Sequence, residues 1–136
     1  MNEQVIGIIG EQPYTTTFSI RGHEMIADEP IEENGQDLGP KPTEYLKAAL
    51  AACTTITMKM YADRKGWDLQ EAIVEVDFVR DLKNNLTTFT KKVTLKGNLD
   101  AEQRKRIFEI GGRCPVHRII ENPVKIEAEM TESLTP

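Results

Sequence analysis

The sequence predicts an α+β fold, because segments with the period of two typical of strands are interspersed with segments of helical periodicity. Strand-like segments lie in the first third of the chain, in its middle and near its end. One long helical segment and two shorter ones lie between them. A chain of this length fits a single domain, which is predicted to span residues 1–136.

The first third of the chain is predicted to form strands followed by a loop. One face of a strand is indicated by residues at every second position: Tyr14, Thr16, Phe18 and Ile20. Arg21-Gly22 is a turn signal, and residues 23–27 are predicted to form a short return strand. Prolines and glycines then punctuate residues 28–41, which predicts a loop.

A long helix is predicted to begin at Pro42, because proline lacks the N–H that the first helical turn leaves unpaired. Glu44 lies near the positive end of its dipole, and Gly66 is predicted to end it. One apolar face is indicated by residues at three- and four-residue spacing: Leu46, Ala49, Leu50, Cys53, Ile56 and Met60. Cys53 is therefore expected in the middle of an apolar helix face.

The second half of the chain is predicted to contain a hairpin, two helices and a final strand. Residues 84–85 separate two strand-like runs. Asp100 and Gln103 have the spacing of a capping box, and Cys114-Pro115 is predicted to open a short helical turn. The final strand is predicted from alternating apolar residues: Val124, Ile126, Ala128 and Met130.

Charge and composition disfavour several classes of protein. The formal net charge is −5, so the chain has no general attraction to nucleic acid. The N-terminal residues lack the features of a secretory signal, and no apolar run reaches the ~18 residues of a membrane span. We therefore expect a cytoplasmic protein with neither nucleic-acid nor membrane partners. In that reducing compartment, we expect the two cysteines to be either inert core thiols or redox-active residues, rather than a structural disulfide.

Cys114 carries the clearer local signs of reactivity. It precedes Pro115 where a helix is predicted to begin, and backbone N–H groups at that end favour a thiolate. Arg113, His117 and Arg118 add positive charge nearby. The alternative is a small residue at a turn whose basic neighbours have no role, and the local pattern leaves both interpretations open.

Cys53 is harder to interpret, because a cysteine on an apolar helix face is usually a packed core residue. Burial would raise its pKa, so reactivity would require a positive group from elsewhere. A zinc site combining the two cysteines with His23 and His117 is disfavoured, because no paired ligand spacing is present. Motifs for phosphate binding or serine hydrolysis are also absent.

Several motifs together resemble the OsmC/Ohr superfamily. They are Gly22-His23, Ala27-Asp28-Glu29-Pro30, Gly39-Pro40-Lys41-Pro42-Thr43-Glu44, the helix from Leu46 to Cys53, the segment from Tyr61 to Trp67, and Cys114-Pro115-Val116-His117. The resemblance extends over about residues 18–130. Two cysteines in these two contexts, in this order, form a specific signal.

The resemblance implies an OsmC-like fold, with antiparallel sheets around a long central helix carrying Cys53, in an intertwined homodimer with active sites at the interface. It also implies reduction of organic hydroperoxides without metal, haem or flavin. By this resemblance Cys53 attacks the peroxide and becomes a sulfenic acid, and Cys114 converts that acid into a disulfide. A dithiol such as dihydrolipoamide would restore both thiols by exchange.

The resemblance further implies a catalytic glutamate and a catalytic arginine. In many family members the glutamate follows the proline directly, but here Thr43 has that place and Glu44 comes one residue later, about 100° around the helix. Glu44 is expected either to hold an arginine near the thiolate across a dimer or only to stabilise the first helical turn. In the N-terminal strand region, where the family has its arginine, this sequence offers Arg21, whose alternative role is that of a turn residue.

Two other functions stay open at the level of the sequence. One is a non-enzymatic redox sensor or binding protein on the same fold, which the shifted Glu44 and the poorly matching surroundings of Arg21 favour. The other is a structural dimer whose cysteines only pack. Efficient turnover with a peroxide would exclude the first, and a native Cys53–Cys114 disulfide would exclude the second.

Overall fold

The computed structural model describes residues 4–131 and has the predicted α+β architecture. In chain order the elements are β1 (Ile6–Ile9), β2 (Thr16–Ile20), β3 (His23–Ala27), a 3₁₀ turn (Ile31–Glu33), α1 (Pro42–Lys65), β4 (Asp68–Asp81), β5 (Leu86–Asn98), α2 (Ala101–Gly111) and α3 (Pro115–Glu121). The described strands form one sheet in the order β1-β2-β3 and a second sheet that pairs β4 with β5. Within residues 4–131, no helix combines the length and apolar character needed to cross a membrane.

The chain divides into two compact units. The first contains the chain up to Ala51 together with Glu75–Lys91, and the second contains Ala52–Val74 together with the chain from Lys92 onward. Both cysteines belong to the second unit, whereas Arg21 and Glu44 belong to the first. This division does not test the single domain predicted over residues 1–136, which stays a prediction.

The three-stranded sheet of the first unit confirms the predicted strand, turn and return strand. β2 pairs antiparallel with β1 and with β3, and Ile20 lies opposite His23. The turn that joins β2 to β3 consists of Arg21 with φ 50° and Gly22 with φ 84°. Two consecutive residues with positive φ match the turn type that suits the twist of a hairpin.

The loop between β3 and α1 is organised by the buried carboxylate of Asp28. Its oxygens accept hydrogen bonds from the Thr15 hydroxyl (2.9 Å) and from the N–H groups of Glu29 (2.8 Å), Leu38 (3.2 Å) and Gln36 (3.5 Å). Burial by itself raises the pKa of Asp28, but these hydrogen bonds outweigh it and hold the pKa below its ordinary value. The loop that leads into α1 is thus tied to an ionised side chain.

Helix α1 has the predicted ends, but its predicted apolar face is only partly correct. The helix runs from Pro42 to Lys65 and is followed by Gly66 with φ 71°. Its buried residues recur at a four-residue spacing: Leu50, Thr54, Met58 and Ala62. Ile56 and Met60 are 57% and 58% exposed, because each lies two residues, or about 200°, from a buried position.

The core of the second unit lies beside helix α2. It consists of Met58, Ala62, Leu69 and Ile107. The capping box predicted at the start of α2 is confirmed, since Asp100 accepts the Gln103 N–H at 2.8 Å and the Gln103 side chain accepts the Asp100 N–H at 3.0 Å. This cap fixes where α2 begins, and the chain that follows α2 carries Cys114.

The prediction of a final strand over residues 124–130 is wrong for the part of the chain that the structure describes. Val124, Ile126 and Met130 are 61%, 86% and 96% exposed. Their alternation is compatible with a strand, but a strand also requires a neighbouring backbone to bond with. Within residues 4–131, no strand pairs with this segment.

Candidate active site

The start of helix α3 confirms the predicted position of Cys114. Cys114 is the N-cap residue, with φ −67° and ψ 148°, and Pro115 is the first helical residue. The Cys114 Sγ accepts the backbone N–H of His117 at 3.4 Å. Sulfur thus takes the capping role usually filled by the oxygen of Ser, Thr, Asp or Asn.

Cys114 is completely buried, at 0% exposure. Its Sγ lies 3.6 Å from the hydroxyl oxygen of Thr54, which is also 0% exposed. Within this pair either atom can be the donor, because a thiol and a hydroxyl each carry one hydrogen. The Cys114 sulfur therefore has a hydroxyl and a backbone N–H in contact with it.

Cys53 lies half-buried on helix α1, and its surroundings oppose ionisation. Its Sγ accepts the N–H of Val116 at 3.5 Å. Burial raises the pKa of the Cys53 thiol above its ordinary value of 9.0, and the neighbouring Cys114 raises it further. Hydrogen bonds from Val116 and Thr57 lower the pKa but do not offset these effects.

The two thiols are brought together by consecutive backbone amides of α3. The N–H of Val116 points at Cys53 and the next N–H, of His117, points at Cys114. The two cysteine side chains lie within hydrogen-bonding reach of each other and are not joined in a disulfide. Such a pair can give up two electrons and form a disulfide, and it can be restored by thiol exchange.

Thr54 and Val116 were missed by the sequence analysis. The signal available for Thr54 was a polar residue beside Cys53, at four-residue spacing from the apolar residues Leu50 and Met58. Val116 contributes only a backbone N–H, which no side-chain pattern reveals. His117 likewise contacts Cys114 through its backbone, while its ring lies 3.2 Å from Glu121.

Glu44 and Arg21 are each placed by local structure in the first unit. Glu44 is in the first turn of α1, where its Oε1 accepts the N–H of Lys41 at 2.9 Å, as a first-turn acid does. It also lines an open cavity of about 410 Å³ with five other residues: Asp37, Gly39, Pro40, Tyr45 and Ala48. Arg21 is exposed in the β2–β3 turn. Their catalytic roles stay predictions.

Metal binding has no candidate cluster in the part of the chain that the structure describes. Across residues 4–131, no group of three or more His, Cys, Asp or Glu side chains is arranged to hold a metal ion.

The family and fold of the chain are shown by comparison with known proteins. The sequence model of the OsmC-like protein family matches residues 35–129, well over half of the chain. An OsmC-like protein from Mycoplasma pneumoniae has a similar structure, with a TM-score of 0.75 and 16% identity over 89% of this chain and 88% of that one. No curated protein matches the chain by sequence.

Two further solved structures carry a more specific name. The organic hydroperoxide resistance protein OhrB of Bacillus subtilis matches with a TM-score of 0.60 and 15% identity, over 87% of this chain and 89% of that one. A Vibrio cholerae protein named for organic hydroperoxide resistance matches with a TM-score of 0.62 and 16% identity, over 88% and 85%. At these identities the likeness shows the fold alone. The family match shows that the chain belongs to the OsmC-like family, which confirms the predicted resemblance to the OsmC/Ohr superfamily.

Proposed function

We propose that this protein is a thiol-dependent peroxidase that reduces organic hydroperoxides to alcohols in the cytoplasm. The observation that carries the proposal is the pair formed by half-buried Cys53 and fully buried Cys114 at the start of α3. The names of the Bacillus subtilis and Vibrio cholerae proteins of the same fold support this choice of substrate.

The proposed reaction proceeds in three balanced steps. The Cys53 thiolate attacks one peroxide oxygen, the O–O bond breaks, and the departing alkoxide takes a proton to become the alcohol. Cys53 is then a sulfenic acid. Cys114 attacks its sulfur, so that an S–S bond forms, the S–O bond breaks and water leaves. A dithiol such as dihydrolipoamide reduces the Cys53–Cys114 disulfide by exchange and is itself oxidised.

The first step needs a thiolate, which the burial of Cys53 opposes. We propose that Arg21 supplies the positive charge that lowers the pKa of Cys53, and that Glu44 holds the arginine in place. The backbone of Arg21 supports a role beyond the turn, because its φ of 50° favours glycine or asparagine and costs stability for arginine.

We further propose that the active unit is a homodimer. Apolar side chains that a second copy could cover are more than half exposed on α1, at Ile56 and Met60, and near the chain's end, at Ile126. The alternating segment 124–130 also has a strand pattern for which residues 4–131 supply no partner. Cross-linking or light scattering should show a dimer, whereas a monomer with full activity would contradict the proposal.

A redox sensor on the same fold is the second candidate. The raised pKa of Cys53 favours it, because a thiol that is mostly protonated at neutral pH reacts slowly with peroxides. A sensor would form the disulfide slowly and without repeated turnover.

A stoichiometric reaction distinguishes these candidates. Reduced protein is mixed with one equivalent of an organic hydroperoxide, quenched at intervals, and analysed by peptide mass spectrometry. The expected result is one equivalent of alcohol and rapid formation of a Cys53–Cys114 disulfide, faster than with hydrogen peroxide. Thiols that stay reduced while the peroxide persists would contradict the peroxidase.

A further inference from the structure

Thr54 is a buried polar side chain that the proposed reaction has not yet used. It follows Cys53 in helix α1, is 0% exposed, and has its hydroxyl oxygen 3.6 Å from the Cys114 sulfur. The methyl carbon of Thr54 faces Gly111 at the end of α2, where an added Cβ would lie only 3.3 Å away. Close packing on the methyl side therefore holds the threonine and limits how its hydroxyl can move.

We propose that Thr54 is a positioning residue for the second step of the proposed peroxidase reaction. Its hydroxyl holds the Cys114 sulfur beside Cys53 and donates a hydrogen bond to that sulfur when it becomes a thiolate. The inference rests on the proposed function, because it assigns Thr54 to the attack of Cys114 on a Cys53 sulfenic acid.

The direction of the hydrogen bond follows from the chemistry of sulfur. In the resting thiol, either the Cys114 S–H or the Thr54 O–H can be the donor. Once Cys114 loses its proton, the sulfur can only accept, so the hydroxyl must be the donor. The contact is thereby converted into a charge-assisted hydrogen bond, which is stronger than the neutral one. The His117 N–H already donates to the same sulfur.

The stabilised thiolate enters a balanced reaction. Its electron pair forms the S–S bond to Cys53, while the S–O bond of the sulfenic acid breaks. The departing hydroxide combines with the proton that Cys114 released, and the product is water. The hydrogen bond from Thr54 strengthens as the Cys114 thiolate forms, so it lowers the barrier to the attack of Cys114 on Cys53. It has no part in the earlier attack of Cys53 on the peroxide.

The alternative to this role is packing alone. Valine has nearly the same shape as threonine and carries no hydroxyl, so it would fill the buried site without a polar group. The two roles therefore predict different results for a valine at this position. Packing alone requires only the shape, whereas the proposed role requires the hydroxyl.

The test measures the two chemical steps separately in Thr54→Val and Thr54→Ser. After a single addition of organic hydroperoxide, the alcohol released reports the attack by Cys53, and disulfide formation reports the attack by Cys114. In Thr54→Val the first rate should stay within about twofold, and the second should fall about tenfold, as expected for the loss of a hydrogen bond to a charged group. Serine should restore most of the second rate.

The pH profile of disulfide formation gives a readout that packing would not change. In Thr54→Val the rate should reach its plateau at a higher pH than in the wild type, because the thiolate of Cys114 has lost a donor. In Thr54→Ser the profile should stay near that of the wild type. If Thr54→Val fails to fold, Thr54→Ala and Thr54→Ser replace it, and alanine must then be the slower of the two.

Two negative outcomes are distinguishable. Disulfide formation at the wild-type rate and with the wild-type pH profile in Thr54→Val would overturn the role of Thr54, while the peroxidase would stand. An absence of alcohol release in the wild-type protein would overturn the proposed function itself, before any Thr54 variant is compared.

Discussion

The two cysteines differ in how exposed their sulfurs are and in which groups contact them. Cys53 lies half-buried in the middle of α1, and its pKa is raised by burial and by the second thiol. Cys114 is fully buried at the N-cap of α3, where its sulfur contacts the Thr54 hydroxyl and the His117 N–H. The thiol that a peroxide can approach is thus one whose own surroundings oppose its ionisation.

The contrast explains why local sequence patterns favour Cys114 as the more reactive thiol, whereas Cys53 has the proposed role in the first attack. A helix start and basic neighbours are visible in the sequence around Cys114. Access depends on which atoms cover each sulfur, and that is decided by residues distant in the chain. In the proposed reaction Cys53 makes the first attack and Cys114 the second, and four experiments can contradict or refine this order.

The largest effect is expected for Cys53→Ser. Without the attacking sulfur, alcohol release should fall on the order of 10³-fold or more, as it does when an enzyme loses its nucleophile. Single-turnover measurement of the alcohol checks this, with Cys114→Ser as the matched control that keeps the first step. Equal rates in Cys53→Ser and wild type would show that Cys53 is not the first thiol.

Cys114→Ser should stop the reaction after the first step. We expect about one equivalent of alcohol per subunit, followed by a sulfenic acid on Cys53 that a dimedone probe can label. Repeated turnover with a dithiol should be slow, because the dithiol must then reduce the Cys53 sulfenic acid directly. Steady turnover at the wild-type rate in Cys114→Ser would show that the reaction does not require Cys114.

The pH dependence of the first step tests the proposed role of Arg21. Below the pKa of Cys53, each pH unit raises the thiolate fraction about tenfold, so the rate climbs until the pKa is passed. In Arg21→Met, burial and the neighbouring Cys114 should keep the pKa of Cys53 above 9.0, so the rate should still climb beyond that pH. In the wild type the positive charge should bring the plateau at least about one unit lower.

Arg21→Lys is the matched control for this experiment, because it keeps the charge and has a similar length. Its profile should lie nearer to that of the wild type than to that of Arg21→Met. Identical profiles for all three proteins would mean that Arg21 acts only as the turn residue of the β2–β3 hairpin.

The smallest effect concerns stability and should have opposite signs at the two cysteines. At position 114 serine should be more stable than alanine by about 1 kcal/mol, because the N-cap side chain accepts the His117 N–H. At position 53, inside α1, alanine should be more stable than serine by about 0.5 kcal/mol, because it is the better helix former. Urea denaturation of the four reduced variants measures both differences. A variant with alanine at position 114 that is more stable than the serine variant would contradict the capping role of Cys114.

Local signals predicted most of the fold correctly. Pro42 and Gly66 mark the ends of α1, Asp100 and Gln103 form the capping box of α2, and the Arg21-Gly22 turn separates β2 from β3. Each of these features depends on backbone geometry and on side chains only a few residues away. For that reason they could be predicted before any packing was known.

The predictions that failed depended on packing. Ile56 and Met60 were predicted to share an apolar face of α1 with Leu50, but the buried stripe runs through Thr54 and Met58 instead. Residues 124–130 have the alternation of a strand, but the described chain provides no neighbouring strand for it. In both cases the pattern reports which residues could be buried or paired, whereas burial and pairing require a partner surface.

The amino-acid sequence was enough to predict the α+β class, the ends of the helices, the family and two cysteines that are candidates for redox chemistry. Tertiary contacts were needed to show that these cysteines lie side by side, that Val116 and His117 direct consecutive N–H groups at them, and that Thr54 contacts Cys114. The two sets of features differ in the range of the interactions that produce them. Caps and turns are local, whereas the contacts between α1 and the start of α3 join residues about sixty positions apart and form only when the chain packs.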